Sequence, residues 1–546
     1  LEKSESAKPR LVSAGEGFSV LKTVEYNGRF LYSRYNPAKS VESAVENLCI
    51  LPGTLVVICS PVLWYGFNLL LKKIPADCRI ISLEDDENLF NLAQEFFPGG
   101  TDFFHLNDFL SLDSCVRNFC RSGKIKRAVK IDFSAGVNFS AEKYRTVFCA
   151  VQEIISTFWK NRITLVKMGR LFSRNFFRNI KFLSQDLLLD EVKNSVSKPI
   201  IVCGAGESLD FLDFKNFRRE DFFILSVDAA LQNLFSRKIK ADAAVAVESQ
   251  GAVEKFYIGM QKNEIPFFLD LASRNEAAEK LCGKRIWFAS RFSEGKFFDS
   301  LREKKIVENF LEPMGSVGLC AVFVALKIRR SADVPVFVTG MDFSFSAGRT
   351  HARKCASTIS RISESTRIFS AENFDASFSE NSVCTADKNG RKIFSTKIMI
   401  QYAAQFSLSF KNQKNLFDVS PGGISLGLER RELFLPDENF PKSAEENFSA
   451  KKNPFRKNEV TEFYRTEKNA LEKIRDLLSS GEKSSFREKN IPLEKQIENL
   501  AAPREYLFLH FPDGENFKSD RSFLTRIRAE TDFFLKQIKI ALAEPE

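Results

Sequence analysis

Short apolar runs recur along the first 430 positions, and most end in polar or acidic residues before an amphipathic stretch begins. Val56–Ser60 (VVICS) is an unbroken apolar run of strand length, and Arg79–Asp86 (RIISLEDD) is a second that ends in acids. Helical spacing covers Val41–Leu48, with Ser40 as a candidate N-cap, then Val62–Lys73 and Glu87–Phe97. Strand, turn, helix and a strand with a terminal carboxylate is the order of a Rossmann-like mononucleotide unit, here predicted over 25–150. Its first turn, Ser60–Gly66 (SPVLWYG), has no glycine before Gly66. A cofactor phosphate needs close backbone approach, so this unit is expected to bind neither a dinucleotide nor S-adenosylmethionine.

Residues 1–24 read as a leader without an apolar signal core, and 151–192 as a basic helical connector. The pattern then repeats more strongly over 193–430. Apolar strands are predicted at Pro199–Cys203, Phe222–Leu231, Ala241–Gln250, Pro266–Ser273, Lys284–Ser290 and Val334–Phe345, with an apolar helix at Ser316–Leu326. The fold class is α/β: a central Rossmann-like parallel-sheet domain, preceded by a smaller Rossmann-like domain. A helical C-terminal domain follows over 431–546, with helices at Thr466–Ser479, Pro492–Ala501 and Asp520–Ala543 after a polar linker at Pro436–Glu459.

Charge and composition narrow the function. The 80 Lys+Arg against 70 Asp+Glu give a net charge of +10, spread without a long basic tract, so a nucleic-acid partner is not expected. The 11 Cys form no CxxC and there are three His, so neither a zinc site nor a disulfide frame is expected, and the compartment reads as reducing and cytoplasmic. Leu55–Leu71 is apolar but interrupted by Pro61, Gly66 and Asn68, which argues against a membrane span. Phe accounts for 55 residues, against 9 Tyr and 3 Trp; without a polar handle it reads as core filling.

Candidate chemistry gathers at the predicted carboxyl ends of the central strands, where open α/β sheets place ligands. The turn Gly204-Ala205-Gly206-Glu207-Ser208 allows close ligand approach, and backbone amides with the Ser208 hydroxyl are candidate phosphate donors. Asp228, Glu248-Ser249-Gln250, Gly315-Ser316 and Gly340-Met341-Asp342 end the other strands or open helices. For Asp228, a ribose hydroxyl and a helix-capping role are equally open. His351, nine residues beyond Asp342, lies in a polar loop and is a candidate general base beside Asp342.

The ordered series PIIVCGAGESLD, ILSVDAALQNL, KADAAVAVESQ, GSVGLCAVFVA and VFVTGMDFSFSAGRTHA resembles the central domain of the motility-associated factor glycosyltransferases. LYSRYNPAKSVESAVENL, ITLVKMGRLFSRNFFRN and FDVSPGGISLGL resemble that family's flanking segments, so the resemblance spans about 25–430. It implies transfer of a nonulosonic acid, of pseudaminic or legionaminic type, from a CMP-activated donor to Ser or Thr of flagellin, with no cofactor required. It places Gly204, Gly206 and Ser208 at the nucleotide phosphate and Asp228 and Glu248 on the nucleoside side. Ser316, Asp342 and His351 would face the donor sugar. The family has Pro where this chain has Glu207, a carboxylate that must point away from a bound phosphate. The same motifs also resemble archaeal 6-hydroxymethyl-dihydropterin diphosphokinases, which use ATP and Mg2+. A non-catalytic flagellar assembly factor is a third reading.

Overall fold

The computed structural model describes residues 8–14, 21–214, 217–258, 264–293, 295–436, 448, 455–480 and 492–542. The chain divides into two compact units, Leu1–Lys167 with Leu509–Phe517, and Met168–Phe508 with Lys518–Glu546. The division falls within one helix, Ala141–Asn179, rather than at 150, and the C-terminal region is shared between the units.

In the first unit, β1 (Arg10–Ala14), β2 (Leu21–Tyr26) and β3 (Arg29–Phe30) form an antiparallel sheet, so the expected leader contributes a strand. A parallel sheet follows, built from β4 (Thr54–Cys59), β5 (Arg79–Glu84), β6 (Asp102–His105) and β7 (Arg127–Asp132) in the order β6-β5-β4-β7. Every residue of β4 is buried because both its faces are covered. Val56 and Ile58 pack with Trp64, Phe67 and Leu89, while Leu55 and Val57 pack with Val116, Tyr144 and Val151.

The helix expected from Val62 begins only at Phe67. Ser60, Val62 and Trp64 adopt left-handed φ of 51°, 24° and 56°, and the Trp64 indole N–H donates to the Ala93 carbonyl at 2.8 Å. The crevice at the end of β4 is closed by the unit's own side chains. Ser60 and Tyr144 donate to the two Glu84 carboxylate oxygens at 2.7 Å each, and Ser134 donates to Ser60 at 2.8 Å.

The second unit is organised on one ten-stranded sheet. Its strands are β8 (Leu187–Leu188), β9 (Ile200–Cys203), β10 (Phe223–Val227), β11 (Ala243–Ala246), β12 (Phe267–Asp270), β13 (Arg285–Ser290), β14 (Phe310–Leu311), β15 (Val336–Thr339), β18 (Leu416–Asp418) and β19 (Glu429–Arg430). A separate hairpin, β16 (Ser382–Ala386) with β17 (Lys392–Thr396), lies between β15 and β18 in the chain. All pairings in the large sheet are parallel, in the order β14-β13-β12-β11-β10-β9-β15-β18-β19, with β8 also beside β13. The apolar helix Val317–Ile328 covers β9, β10 and β11.

The Phe excess has a local explanation here. Phe176 and Phe177 at the end of Ala141–Asn179 meet Phe297, Phe298, Tyr506 and Phe534 in edge-on and stacked contacts, with ring centroids 4.8–5.9 Å apart. Phe463 also meets Phe177 at 5.7 Å, so the cluster seats the C-terminal helices Arg456–Ser480 and Arg521–Leu542 on the sheet domain. Among the described residues no helix is long and apolar enough to cross a membrane.

Candidate functional site

Strand order reverses between β9 and β15: from β9 the chain builds outward through β10 to β14, and from β15 through β18 and β19. Such a switch point opens a crevice at the carboxyl ends of the two strands, where doubly wound sheets hold ligands. Both strands end in glycine, and the two glycines touch. A Cβ on Gly204 would lie 2.3 Å from the Gly340 carbonyl oxygen, and one on Gly340 would lie 2.2 Å from that of Gly204. Gly340 also has φ +70°, which side-chain-bearing residues adopt only at a cost. The Gly206 amide donates to the Gly340 carbonyl at 2.7 Å, which sews the turn to the end of β15.

The carboxylate of Asp342 completes this seam. It is 5% exposed and accepts the Ser208 amide at 2.8 Å and the Ser208 hydroxyl on its other oxygen. The Gly340 amide in turn donates to the Ser208 hydroxyl at 3.0 Å. Burial pushes the Asp342 carboxyl up to about 6, against the pull of its Ser208 bonds and of Lys388. In this arrangement both Ser208 donors are spent on Asp342, and Asp342 is braced on both oxygens. The turn runs into a 3-10 segment, Glu207–Phe211, in place of a full helix.

Glu207 points away from the turn: Ser346 donates to it from its amide at 2.5 Å and from its hydroxyl at 2.8 Å. The loop after β15 thereby folds back over Gly204–Ser208. The Ala352 amide donates to the Ala205 carbonyl at 2.9 Å, and Arg349 pairs with Asp210 at 2.9 Å. His351 is thus held beside Ala205, with Thr350 Oγ1 3.0 Å from its Nδ1. Burial, and secondarily the charge of Lys255, lower its affinity for a proton. An imidazole in that state is neutral near pH 7 and accepts a proton at Nε2 when Nδ1–H donates to Thr350.

On the other side of β9, Asp228 ends β10 and is 3% exposed. Burial pushes its carboxyl up to about 7, helped by Glu248, and the Tyr257 phenol lies against it. Its Oδ1 accepts the Ala229 amide at 2.8 Å, an N-terminal turn bond of the kind a cap makes. Tyr257 and Lys255 come from the 3-10 segment Gly251–Tyr257, and with Ile258, Ala277 and Leu281 they line a cavity of about 280 Å³. Glu248 accepts the Gln250 amide at 3.0 Å. Ser249 is buried, and its carbonyl receives an amide N–H of Asn175 at 3.1 Å.

Asn175 and Asn179, on the last turns of Ala141–Asn179, hold the loops that follow β11 and β12. Asn175 also donates to the Ala272 carbonyl at 3.1 Å, and Asn179 donates to the Leu271 and Ser273 carbonyls at 2.9 Å each. Asn275 donates to Asn179 at 3.0 Å. Asn175 and Asn179 both lie in the segment ITLVKMGRLFSRNFFRN, which carries part of the family resemblance but gave neither of them a role; the further signal was two Asn four apart in an otherwise apolar and basic helical run.

Ser316 caps the helix Val317–Ile328, accepting the Gly318 amide at 3.3 Å, and a Cβ on Gly318 would lie 3.1 Å from the Met341 sulfur. Gly315, at φ +67°, is pressed against the Tyr402 ring. On the far side, Lys388 from the β16–β17 loop forms a buried ion pair with Asp418. The Lys388 amide donates to the Gly423 carbonyl at 3.0 Å, and the Ile424 amide to the Asp342 carbonyl at 2.9 Å, which docks the FDVSPGGISLGL segment against Asp342. Among the described residues no cluster of three His, Cys, Asp or Glu is arranged to hold a metal ion.

The structure superimposes on that of the MAf glycosyltransferase from Magnetospirillum magneticum AMB-1 over 98% of this chain and 91% of the other, with a TM-score of 0.51 at 14% identity. The fold is that of a MAf glycosyltransferase. Residues 174–348 match the model of a family described as 6-hydroxymethylpterin diphosphokinase MptE-like. An uncharacterized protein of Treponema pallidum (strain Nichols) is 29% identical over 564 residues, covering 97% of this chain and 95% of its own. The MptE-like match thus brackets the crevice, from the helix that carries Asn175 to the loop before His351.

Proposed function

We propose that the chain is a glycosyltransferase that moves a nonulosonic acid, of pseudaminic or legionaminic type, from a CMP-activated donor to Ser or Thr of flagellin. The observation that carries this reading is the glycine-lined switch point with His351 folded over it, in a chain with the MAf glycosyltransferase fold along nearly its whole length. The donor's nucleotide would lie at the ends of β9 and β10, with Asp228 and Tyr257 on its nucleoside side. The glycosidic C–O bond breaks with oxocarbenium character, and its electron pair goes to the CMP phosphate. The acceptor hydroxyl oxygen forms the new bond to that carbon, and its proton passes to His351 Nε2. CMP leaves as a monoester, so the reading calls for no cofactor, and flagellin would be met in the cytoplasm.

The test is incubation of the purified chain with a CMP-nonulosonate and purified flagellin, with intact-mass spectrometry of the product. Absence of a mass increase on flagellin defeats this reading. The MptE-like match supports a second reading, diphosphate transfer from ATP–Mg2+ to 6-hydroxymethyl-dihydropterin. Formation of the pterin diphosphate and AMP in a parallel incubation would select it.

A further inference from the structure

The crevice is bordered by carboxylates, and its cations are mostly committed elsewhere. Asp228, Glu248 and Asp342 end three of its strands. Arg349 is tied to Asp210, and Lys388 is locked in its pair with Asp418. Within the glycine turn the Gly206 amide serves Gly340 and both Ser208 donors serve Asp342. An anionic ligand held among carboxylates requires a nearby positive charge.

Unlike Arg349 and Lys388, Lys255 is in no ion pair among the described residues, and unlike Arg353 and Lys354, which are exposed, it is half-buried. Its segment packs against the Asp228–Ala230 turn, and its backbone is fixed by Gln232, whose side-chain amide donates to the Lys255 carbonyl at 3.0 Å. The Lys255 ammonium lies 5.9 Å from the Phe256 ring centroid, and the residue borders the cavity of about 280 Å³, whose lining also includes the Glu254–Lys280 pair. The residue after Gln232, Asn233, donates its side-chain amide to the Arg353 carbonyl at 2.6 Å, and the Ala352 amide donates to the Ala205 carbonyl at 2.9 Å, so Gln232 and Asn233 tie the Lys255 segment to the loop that carries His351. The loops after β11 and β15, one carrying Lys255 and the other His351, therefore converge beside the glycine turn.

We propose that Lys255 binds the phosphate of the nucleotide donor at this edge, between Ala205 and His351. The assignment rests on the nucleotide-sugar reading above. As the glycosidic bond breaks, negative charge grows on the phosphate, and the ammonium meets it by Coulomb attraction without transferring a proton. The same charge adds to burial, the larger effect, in favouring a neutral His351 that can accept the acceptor's proton. Lys255 thus acts on both halves of the reaction.

The test is calorimetry on the full chain with CMP and, separately, cytidine, which lacks the phosphate. Wild type, Lys255→Met and Lys255→Arg are compared, with thermal melting as a check of the fold. The expected result is a loss of about tenfold or more in CMP affinity for Lys255→Met, with cytidine binding unchanged and most CMP affinity restored in Lys255→Arg. Equal CMP affinity in wild type and Lys255→Met overturns the assignment alone. So does a parallel loss of CMP and cytidine, which marks a structural role. A wild-type chain that binds no CMP overturns the CMP-donor reading and this assignment with it.

Discussion

Ser208 and Asp342 lie 134 residues apart in the chain and are joined twice, amide to one carboxylate oxygen at 2.8 Å and hydroxyl to the other. The pair fastens the turn after β9 to the segment after β15. Asp342→Ala strands two buried donors and is expected to cost about 1–3 kcal/mol. Asp342→Asn keeps one acceptor and should cost less. Urea unfolding of both variants checks this, and an unchanged midpoint in Asp342→Ala would show that the seam adds nothing.

The buried carboxyls set a pH dependence. Burial raises Asp228 to about 7 and Asp342 to about 6, above the ordinary 3.8 of an unfolded aspartate. Between those limits the folded chain holds protons that the unfolded chain has released, so stability falls as pH rises. Their contribution is full below about pH 4 and is lost progressively up to about pH 8, a change on the order of 7 kcal/mol if both shifts act in full. Asp228→Asn should be less sensitive to pH than wild type between pH 5 and 8. Equal slopes of unfolding midpoint against pH would contradict the assignment.

Gly204 and Gly340 meet backbone to backbone. A methyl at either forces β9 and β15 apart, and at Gly340 it also meets a left-handed φ. Gly204→Ala and Gly340→Ala should each lose about 2 kcal/mol or more. Gly390→Ala is the control: it shares a positive φ of 79° but has open space around it. A control as damaging as Gly340→Ala would place that variant's loss in backbone strain, while Gly204, which has no left-handed φ, tests the close contact by itself.

His351→Ala should lower transfer about 10²–10⁴-fold while the thermal midpoint stays near wild type. His351→Lys, a permanent cation at the same place, should not restore it. Turnover near wild type in a folded His351→Ala protein would remove the imidazole from the proton path.

Lys388 and Asp418 are 5% and 2% exposed and face each other across the edge of the sheet. Lys388→Met leaves a buried, unpaired carboxylate and is expected to cost about 3–5 kcal/mol. Lys388→Met with Asp418→Leu removes both charges and should recover most of that. A double variant no better than the single one would mean that packing, not charge, is the loss.

Strands of the second unit are legible in the sequence because parallel strands buried on both faces leave unbroken apolar runs: IIVC, FILSV, AAVA and FFLD. Val62–Gly66 is also apolar and reads as helix, but tertiary packing of Trp64 draws it into left-handed turns instead. The glycine turn and the loop that returns His351 to it are legible as motifs. The orientation of Ser208 is not, since a serine in a glycine turn looks the same whether it faces a ligand or an aspartate far along the chain. Lys255 is illegible for a related reason: its environment comes from segments that only the fold brings together.

The amides of Asn175 and Asn179 bear on what counts as the smallest inheritable piece of this molecule. They occupy the carbonyls of Ser249, Leu271, Ala272 and Ser273, all beyond position 193, where the apolar pattern alone would begin the central domain. A fragment cut at 193 would keep every strand from β9 onward and lose the pegs on which two of its loops hang. The MptE-like match starts at residue 174, one position before the first peg. The last two turns of that helix travel with the sheet as part of the same transferable module.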